Sequence, residues 1–536
     1  MKGAVPPRLP RWAKAAFRPV WLWAATKKLR EALDRYHAGD YAAACTACEA
    51  ALKIYPAYAE ASYVLGLLTC IGGAPELGAR WFTHALSEAP HNPAYIAALA
   101  DAMLLGQREQ EALSLYERAF PQLAAENAGV NEAGAPWKRA HPDWLQQSKR
   151  VTLPGVPYDD SEVATGGTRA AKTATHLVNW AGLLVRRRQV GQAIYLIERA
   201  VKANPALGYA HALLALLYTL NRDWKRALAS AMAARHMTAE VFPGSTDLCL
   251  VSSQLGLRYS FGELDPVFDW SAFTGVRDES ESSGQLPQCM GNIRPRFARG
   301  SLVYLICCDT DYFMTHAIGL ACSIRTHDST AAIHLHVFNP HVEVWEEIQR
   351  LKTALSPLPL TVSWEYLDFE RYGGKAVYCV CARFQRLYQL VCQVDNRIAM
   401  VDADSLLRGE VSTALPQEIR IGVVRAPGEP IWHQYLGGFT TFRRSVASLR
   451  FLTDFSAFMV RNLIAGRARI YLDQIGLYAT VYKHATMAHE ITELAVQKFC
   501  DTLCKDEGLV WSVTQRKDDE HYTAYKQAML ARYGYL

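Results

Sequence analysis

Apolar residues in the first half of the chain recur at helical spacing, in paired segments joined by short polar turns, and the pairs repeat. Pro56 and Pro90 lie 34 residues apart with similar surroundings. The first unit carries Gly39-Asp40-Tyr41, Ala44, Cys48, Ala51 and Pro56, and the second Leu65-Gly66, Gly73, Gly78, Phe82, Ala85 and Pro90. A third keeps Ala100, Ala112, Tyr116 and Ala119 but loses the proline, and two more follow, with Ala181, Ala193, Ile197, Ala200 and Pro205, then Ala215, Asp223-Trp224, Ala227, Ala231 and Ala234. Small residues are required where the helices of a hairpin touch, a large apolar residue fills the gap, and proline ends the second helix. From Ser301 the period changes. Val303 to Cys308, Ile333 to Phe338, Thr361 to Tyr366 and Arg397 to Val401 read as strands, and 315–326, 342–355 and 382–391 as helices. This βαβαβαβ order predicts a mostly parallel sheet with helices on both faces, which binds ligand beyond the carboxyl ends of its strands.

A period of 34 residues with these small, large and proline positions resembles the tetratricopeptide repeat. The chain is therefore expected to divide into a basic aromatic arm (1–25), repeats 1 to 3 (26–126), an insertion rich in Gly, Pro and charge with one short helix around Trp144 (127–173), repeats 4 and 5 (174–241), a linker (242–300) and an α/β domain (301–536). Such arrays present a concave face to a peptide or partner helix, or else brace or dimerise the protein.

Charge changes the picture at one end only. Net charge is +5 over 536 residues, but the first thirty hold eight Lys or Arg and no acid, so the remainder is net negative. That excludes a broad nucleic-acid-binding surface. The arm, with Trp12, Phe17, Trp21 and Trp23, suits either peripheral contact with an anionic membrane or packing as a first helix on the next repeat. The longest apolar stretches, such as Ala212 to Leu220, are too short to span a bilayer. Thirteen cysteines are scattered without a paired zinc pattern, as in a reduced, cytoplasmic protein.

Candidate chemistry lies in the second half. Asp402 and Asp404 directly follow the strand RIAM, in the run IAMVDADSLLRG. A D-x-D at a strand end puts two carboxylates on one side of an extended backbone, able to share a hard divalent cation whose other positions go to phosphate and water. No glycine-rich, Lys-containing phosphate loop follows Val303 to Cys308, which disfavours a nucleotidyltransferase.

Residues 301 to about 485 resemble the GT-A-fold glycosyltransferases, most closely glycosyltransferase family 8. Four segments carry the resemblance: VYLICCDTDYFMTHAIGLACSI, ARFQRLYQLV, RIAMVDADSLLRGEV, and YLGGFTTFRRS followed by YLDQIGLYATVY. The resemblance implies a multidomain protein, an all-α tetratricopeptide solenoid followed by a Rossmann-like α/β GT-A domain. It implies that Asp309 contacts the base or ribose, Tyr312 stacks on the base, Arg383 reaches toward the sugar and the metal-site carboxylates, and Asp402 and Asp404 hold Mn2+ or Mg2+. It also implies that Gly437 and Gly438 allow close backbone approach on the sugar and acceptor side, where Asp473 and Gln474 face the transferred sugar. Asp473 would orient the sugar or accept a proton from the acceptor hydroxyl, or else cap its helix.

The chain also departs from the family. Leu436 replaces an Asn before the glycine pair, and the closing His-x-x-Gly-x-x-Lys segment, source of a third metal ligand and a pyrophosphate lysine, has no recognisable counterpart. His484, with His489 and His521 behind it, is the candidate ligand, and Lys517 the candidate lysine. The expected activity is metal-dependent transfer of a sugar from a nucleotide-diphosphate sugar, a UDP-sugar by preference, to a protein, glycan or lipid acceptor positioned by the repeats. The rival is a repeat scaffold with a degenerate, non-catalytic transferase domain.

Overall fold

The computed structural model describes residues 11–130, 166–274, 286–502, 504, 507–512 and 519–535. They form two compact units, divided at Thr246 and Asp247.

The first unit is a run of antiparallel helix pairs: α1 (Arg11–His37) with α2 (Tyr41–Ile54), α3 (Ala59–Ile71) with α4 (Pro75–Glu88), α5 (Pro93–Leu105) with α6 (Glu109–Ala119), α8 (Gly166–Arg186) with α9 (Val190–Ala203), and α10 (Gly208–Leu220) with α11 (Trp224–His236). The short α7 (Pro121–Ala128) follows the third pair. The repeat residues act as their chemistry requires. A Cβ on Gly66 would stand 2.6 Å from the Phe82 ring, so the glycine is what lets α3 and α4 close on that side chain. Asp40 caps α2 by accepting from the Ala43 N–H, and Asp223 caps α11 in the same way through Arg226. Two boundaries differ from expectation. The arm is no separate segment from Arg11 onward but the start of α1, and α8 begins at Gly166, inside the stretch assigned to the insertion. The helix expected around Trp144 lies outside the described residues. On α1, Trp23 is 68% exposed and Ala25, Leu29 and Ala32 are buried. Among the described residues no helix is long and apolar enough to cross a membrane.

One buried polar cluster joins the third pair to the fourth across the insertion. Asp101 of α5, with no exposure, accepts hydrogen bonds from Tyr116 Oη on α6 at 2.5 Å and from His176 Nδ1 and Asn179 Nδ2 on α8 at 2.7 and 2.9 Å. The Tyr116 ring stacks on Trp180 at 5.9 Å.

The second unit is built on an eight-stranded sheet in the order β1-β4-β3-β2-β5-β8-β7-β9, with β1 (Met290–Gly291), β2 (Leu302–Asp309), β3 (Ala332–Phe338), β4 (Leu360–Glu365), β5 (Arg397–Asp402), β7 (Ile421–Arg425), β8 (Tyr435–Phe442) and β9 (Ile491–Ala495). Strands β4, β3, β2 and β5 are mutually parallel, and their near-continuous apolar runs, LVYLICC in β2 above all, match burial on both faces. Strand β8 runs antiparallel between β5 and β7, because the connection Ala426 to Gln434 is shorter than the dozen or so residues a parallel crossover requires. A two-stranded ribbon pairs β6 (Ser405–Leu407) with β10 (Val510–Ser512). After α12 (Ser245–Gly256), the helices that matter for the site are α13 (Ile318–His327), α14 (Val342–Ala354), α15 (Lys375–Gln393), α16 (Val446–Ile464), α17 (Leu472–Lys483) and α18 (Glu520–Arg532).

Much of the expected linker is part of this unit. Trp270 stacks on Phe458 of α16 at 5.0 Å, Phe261 on Phe273 at 4.7 Å, and Asn462 Oδ1 accepts from the Asp269 N–H at 2.8 Å, while Met290–Gly291 adds an antiparallel edge to β4. Burial of Phe268, Trp270 and Phe273, with the half-buried Phe261 beside them, outweighs the loop-like composition around them.

Replacing Asp101 by Ala removes one acceptor shared by three buried donors and is expected to destabilise the first unit by about 3 kcal/mol. A denaturant titration followed by helical circular dichroism checks this; a loss under about 0.5 kcal/mol would mean the cluster does not hold the array together.

Candidate active site

The sheet reverses direction of growth at β2: the chain adds β3 and β4 on one side and β5 on the other. In open α/β sheets a reversal of this kind marks the crevice where ligands bind, beyond the carboxyl ends of the two parallel strands that part there. Two acids flank it, Asp309 ending β2 and Asp402 ending β5, in a register that pairs Cys307 with Asp402.

Arg383 organises one side of this crevice. From the middle of α15 its Nη1 donates to Asp402 Oδ1 and its Nη2 to Asp473 Oδ2, the latter at 3.1 Å, while Nε donates to the Val380 carbonyl. Burial works against the guanidinium charge, but the two carboxylates outweigh it and hold its pKa above the ordinary value. Asp473, in the first turn of α17, is 2% exposed, and burial pushes its carboxyl above the usual range; Arg383 opposes that shift and Asp402 adds to it.

The two glycines of β8 pass through the middle of this arrangement. A Cβ on Gly437 would lie 2.5 Å from Asp473 Oδ2 and 2.9 Å from Arg383 Nη2; on Gly438 it would lie 3.0 Å from both Asp402 Oδ2 and Ser512 Oγ. Close backbone approach is thus required by the protein's own acid–guanidinium cluster. Asp404, largely buried, is anchored through its carbonyl, which accepts from Tyr522 Oη at 2.7 Å. Burial pushes the Cys500 thiol up to about 12, a shift that the Ser512 hydroxyl opposes and that Asp402, Asp404 and Asp501 add to, and Cys500 Sγ, Ser512 Oγ and Asp402 Oδ2 all surround the Cβ position of Gly438.

The remaining candidates are distributed as follows. Asp309 Oδ1 caps the turn Thr310–Tyr312 by accepting from the Tyr312 N–H at 2.9 Å, and its Oδ2 is 3.3 Å from Lys375 Nζ. Tyr312 is 37% exposed, its ring 5.1 Å from that of His316. Gln474 follows Asp473 on α17, with Oε1 buried and lacking a hydrogen-bond partner among the described residues. His484 does not join the acids. It sits at the far end of α17, roughly 16 Å along the axis from Asp473 at 1.5 Å per residue, where Nε2 pairs with Asp454 at 2.9 Å beneath the Phe451 ring. Its assignment as a ligand beside Asp402 and Asp404 is therefore corrected. Lys517 lies outside the described residues.

Sequence reasoning missed Lys375, which bridges Asp309 and Asp311, Ser512, brought beside Asp402 by the ribbon, and Lys526 of α18, whose Nζ lies 3.5 Å from His316 Nδ1. None sits in a motif; a cation spaced one helix turn along from the Tyr522 that anchors Asp404 is visible only once α18 is known to pack on α13. Among the described residues no group of three or more His, Cys, Asp or Glu is placed to hold a metal ion. Asp402 and Asp404 are carboxylates, the ligand type that a hard divalent cation takes alongside phosphate oxygens and water.

No protein-family model matches the chain, and no curated protein matches it in sequence. Solved structures with similarity include the PilF protein of Pseudomonas aeruginosa (13% identity, 45% of this chain and 86% of that chain, TM-score 0.33). Two glycosyltransferases also appear: the bifunctional enzyme WbbM (13% identity, 38% of this chain and 40% of that chain, TM-score 0.28), and GlyE of Streptococcus pneumoniae TIGR4 (14% identity, 44% and 64%, TM-score 0.30). The chain spans less than two thirds of either glycosyltransferase.

The raised carboxyl of Asp473 has a consequence for stability. A group whose folded pKa exceeds its unfolded value favours folding when protonated, so that contribution is full below the unfolded pKa of about 3.9 and is lost as pH rises through the folded value. Asp473→Asn keeps an acceptor for Arg383 and removes the buried charge. The variant is expected to melt above the wild type at pH 7, with the difference vanishing below about pH 4. A variant that melts lower at pH 7 would show that the ionised acid is well accommodated.

Proposed function

We propose that the second unit transfers a sugar from a nucleotide-diphosphate donor, and that the repeats position the acceptor or a partner. The observation that carries this is the joining of Asp402, at the switch point of the sheet, to the buried Asp473 through a single guanidinium. In this reading the acid and the cation stand beside the crevice that receives the nucleotide.

In this reading the nucleoside lies over the carboxyl end of β2. Tyr312 offers an exposed ring for the base, and Lys375 holds Asp309 in place to accept from the ribose. Asp402 and Asp404 would hold Mn2+ or Mg2+, which when bound neutralises charge on the leaving diphosphate. Lys526 adds positive charge from α18 on the Asp404 side, in the role first given to Lys517. Arg383 fixes Asp402 and Asp473 relative to each other, so a displaced guanidinium would loosen both. Asp473, its basicity increased by burial, is the group able to orient the sugar or take a proton from the acceptor hydroxyl. Gln474 is a hydrogen-bonding residue for a sugar hydroxyl. Retention of this whole arrangement weighs against a non-catalytic scaffold, since an idle site has no need to bury a destabilised carboxyl. The basic α1, exposing Trp23 and Val20, is proposed as a peripheral membrane contact.

The test is a panel of UDP-, GDP- and CMP-sugars assayed for manganese-dependent hydrolysis by the full chain. One donor is expected to be consumed, and Asp404→Asn to lower that turnover by at least about 100-fold with unchanged circular dichroism. Near-normal activity of the variant would remove Asp404 from the site, and no turnover or thermal stabilisation with any donor would remove the catalytic assignment.

A further inference from the structure

A second cavity, of about 430 Å³, opens where α17 faces β7, β8 and β9. Its wall is aromatic. Tyr478 and Tyr482 of α17 line it together with Tyr435, which begins β8, and the Tyr435 and Tyr478 rings are 6.1 Å apart. Its polar groups come from three strands: Glu493 of β9 accepts from Tyr435 Oη at 2.9 Å and from Arg425 Nη1 of β7 at 2.7 Å.

Three features connect this cavity to the site. Gln474, Tyr478 and Tyr482 are spaced i, i+4, i+8 and so share one face of α17, running away from the active-site end of that helix. Tyr435 lies two residues before Gly437 on β8, and both are packed against α17. Arg425 Nε and Gln474 Oε1 are buried polar atoms with no hydrogen-bond partner among the described residues, so a donor at the cavity and an acceptor at the head of the stripe remain to be satisfied.

The chemistry selects the ligand class. Tyrosine faces cover the apolar C–H face of a pyranose ring, while planar guanidinium, carboxylate and amide groups match its hydroxyls. Arg425 and Glu493 cancel in charge, so the site favours a neutral ligand over a phosphate. The volume falls within the roughly 300–1,000 Å³ of small-ligand pockets. We infer that this cavity is a glycan subsite that holds a pyranose unit of the acceptor, with Tyr478 and Tyr482 as its stacking platform. The inference rests on the proposed transfer activity, and it makes the acceptor a saccharide chain that lies along α17.

The test uses saturation-transfer NMR on the full chain with the methyl β-glycosides of galactose, glucose and N-acetylglucosamine, alongside donor hydrolysis. At least one glycoside is expected to bind, with affinity falling at least tenfold in Tyr478→Ala and kept in Tyr478→Phe, while the KM for donor hydrolysis is unchanged. Tyr482→Ala serves as the second variant if Tyr478→Ala fails to fold. Donor hydrolysis by wild type with no glycoside bound overturns the subsite and leaves the transfer activity standing. Glycoside binding that depends on Tyr478, without hydrolysis of any donor, supports the saccharide site and overturns the transfer activity. Binding that survives both Ala variants overturns the subsite, and a tenfold rise in donor KM in Tyr478→Ala assigns the cavity to the donor's sugar and overturns the acceptor assignment.

Discussion

The second unit depends on one shared cation. Arg383 reaches from α15 to the end of β5 and to the first turn of α17, and these three elements are held in register by its two carboxylate partners. Buried ion pairs of this kind contribute little net stability, because desolvation offsets most of the attraction. Position is what such a cluster secures. Gly437 and Gly438 follow from it, since any side chain at either would occupy the space of Asp473, Arg383, Asp402 or Ser512. Strand β8 carries the glycine pair through the cluster and brings Tyr435 against Tyr478, further along α17.

The first unit depends on a different kind of constraint. Its helix pairs close where glycine and alanine permit contact, as at Gly66 against Phe82, and the apolar faces so formed are buried only by stacking on neighbours. The polar exception, Asp101 with its three donors, is placed where the sequence is interrupted. A buried carboxylate satisfied from both sides of the interruption specifies which helices meet, which apolar contacts alone would leave less determined.

How much was legible beforehand follows from the range of the interactions. The repeats and the four parallel strands are written in local periodicity, as in the 34-residue spacing of Pro56 and Pro90 and the apolar run of β2. Asp402, Arg383, Asp473 and the glycine pair were found because each sits in a motif, and the reach of Arg383 to Asp402 was expected, although its second link, to Asp473, was not. The antiparallel β8, the two-residue β1 and the ribbon that brings Ser512 to Asp402 depend on long-range pairing with no local signature. Histidine 484 was misassigned because a single imidazole near a motif carries no information about which way its helix runs; the chain places it at the opposite end of α17, beside Asp454. The aromatic residues of 261–273 were hidden by polar composition on either side.

The most direct measurement is hydrogen–deuterium exchange of the full chain with and without saturating UDP and Mn2+. Protection is expected at the ends of β2 and β5, in Tyr435 to Phe439 and in the first turn of α17, with the repeats unchanged. No protection at those segments, or protection confined to the repeats, would contradict the assignment of a donor site to the crevice between Asp309 and Asp402.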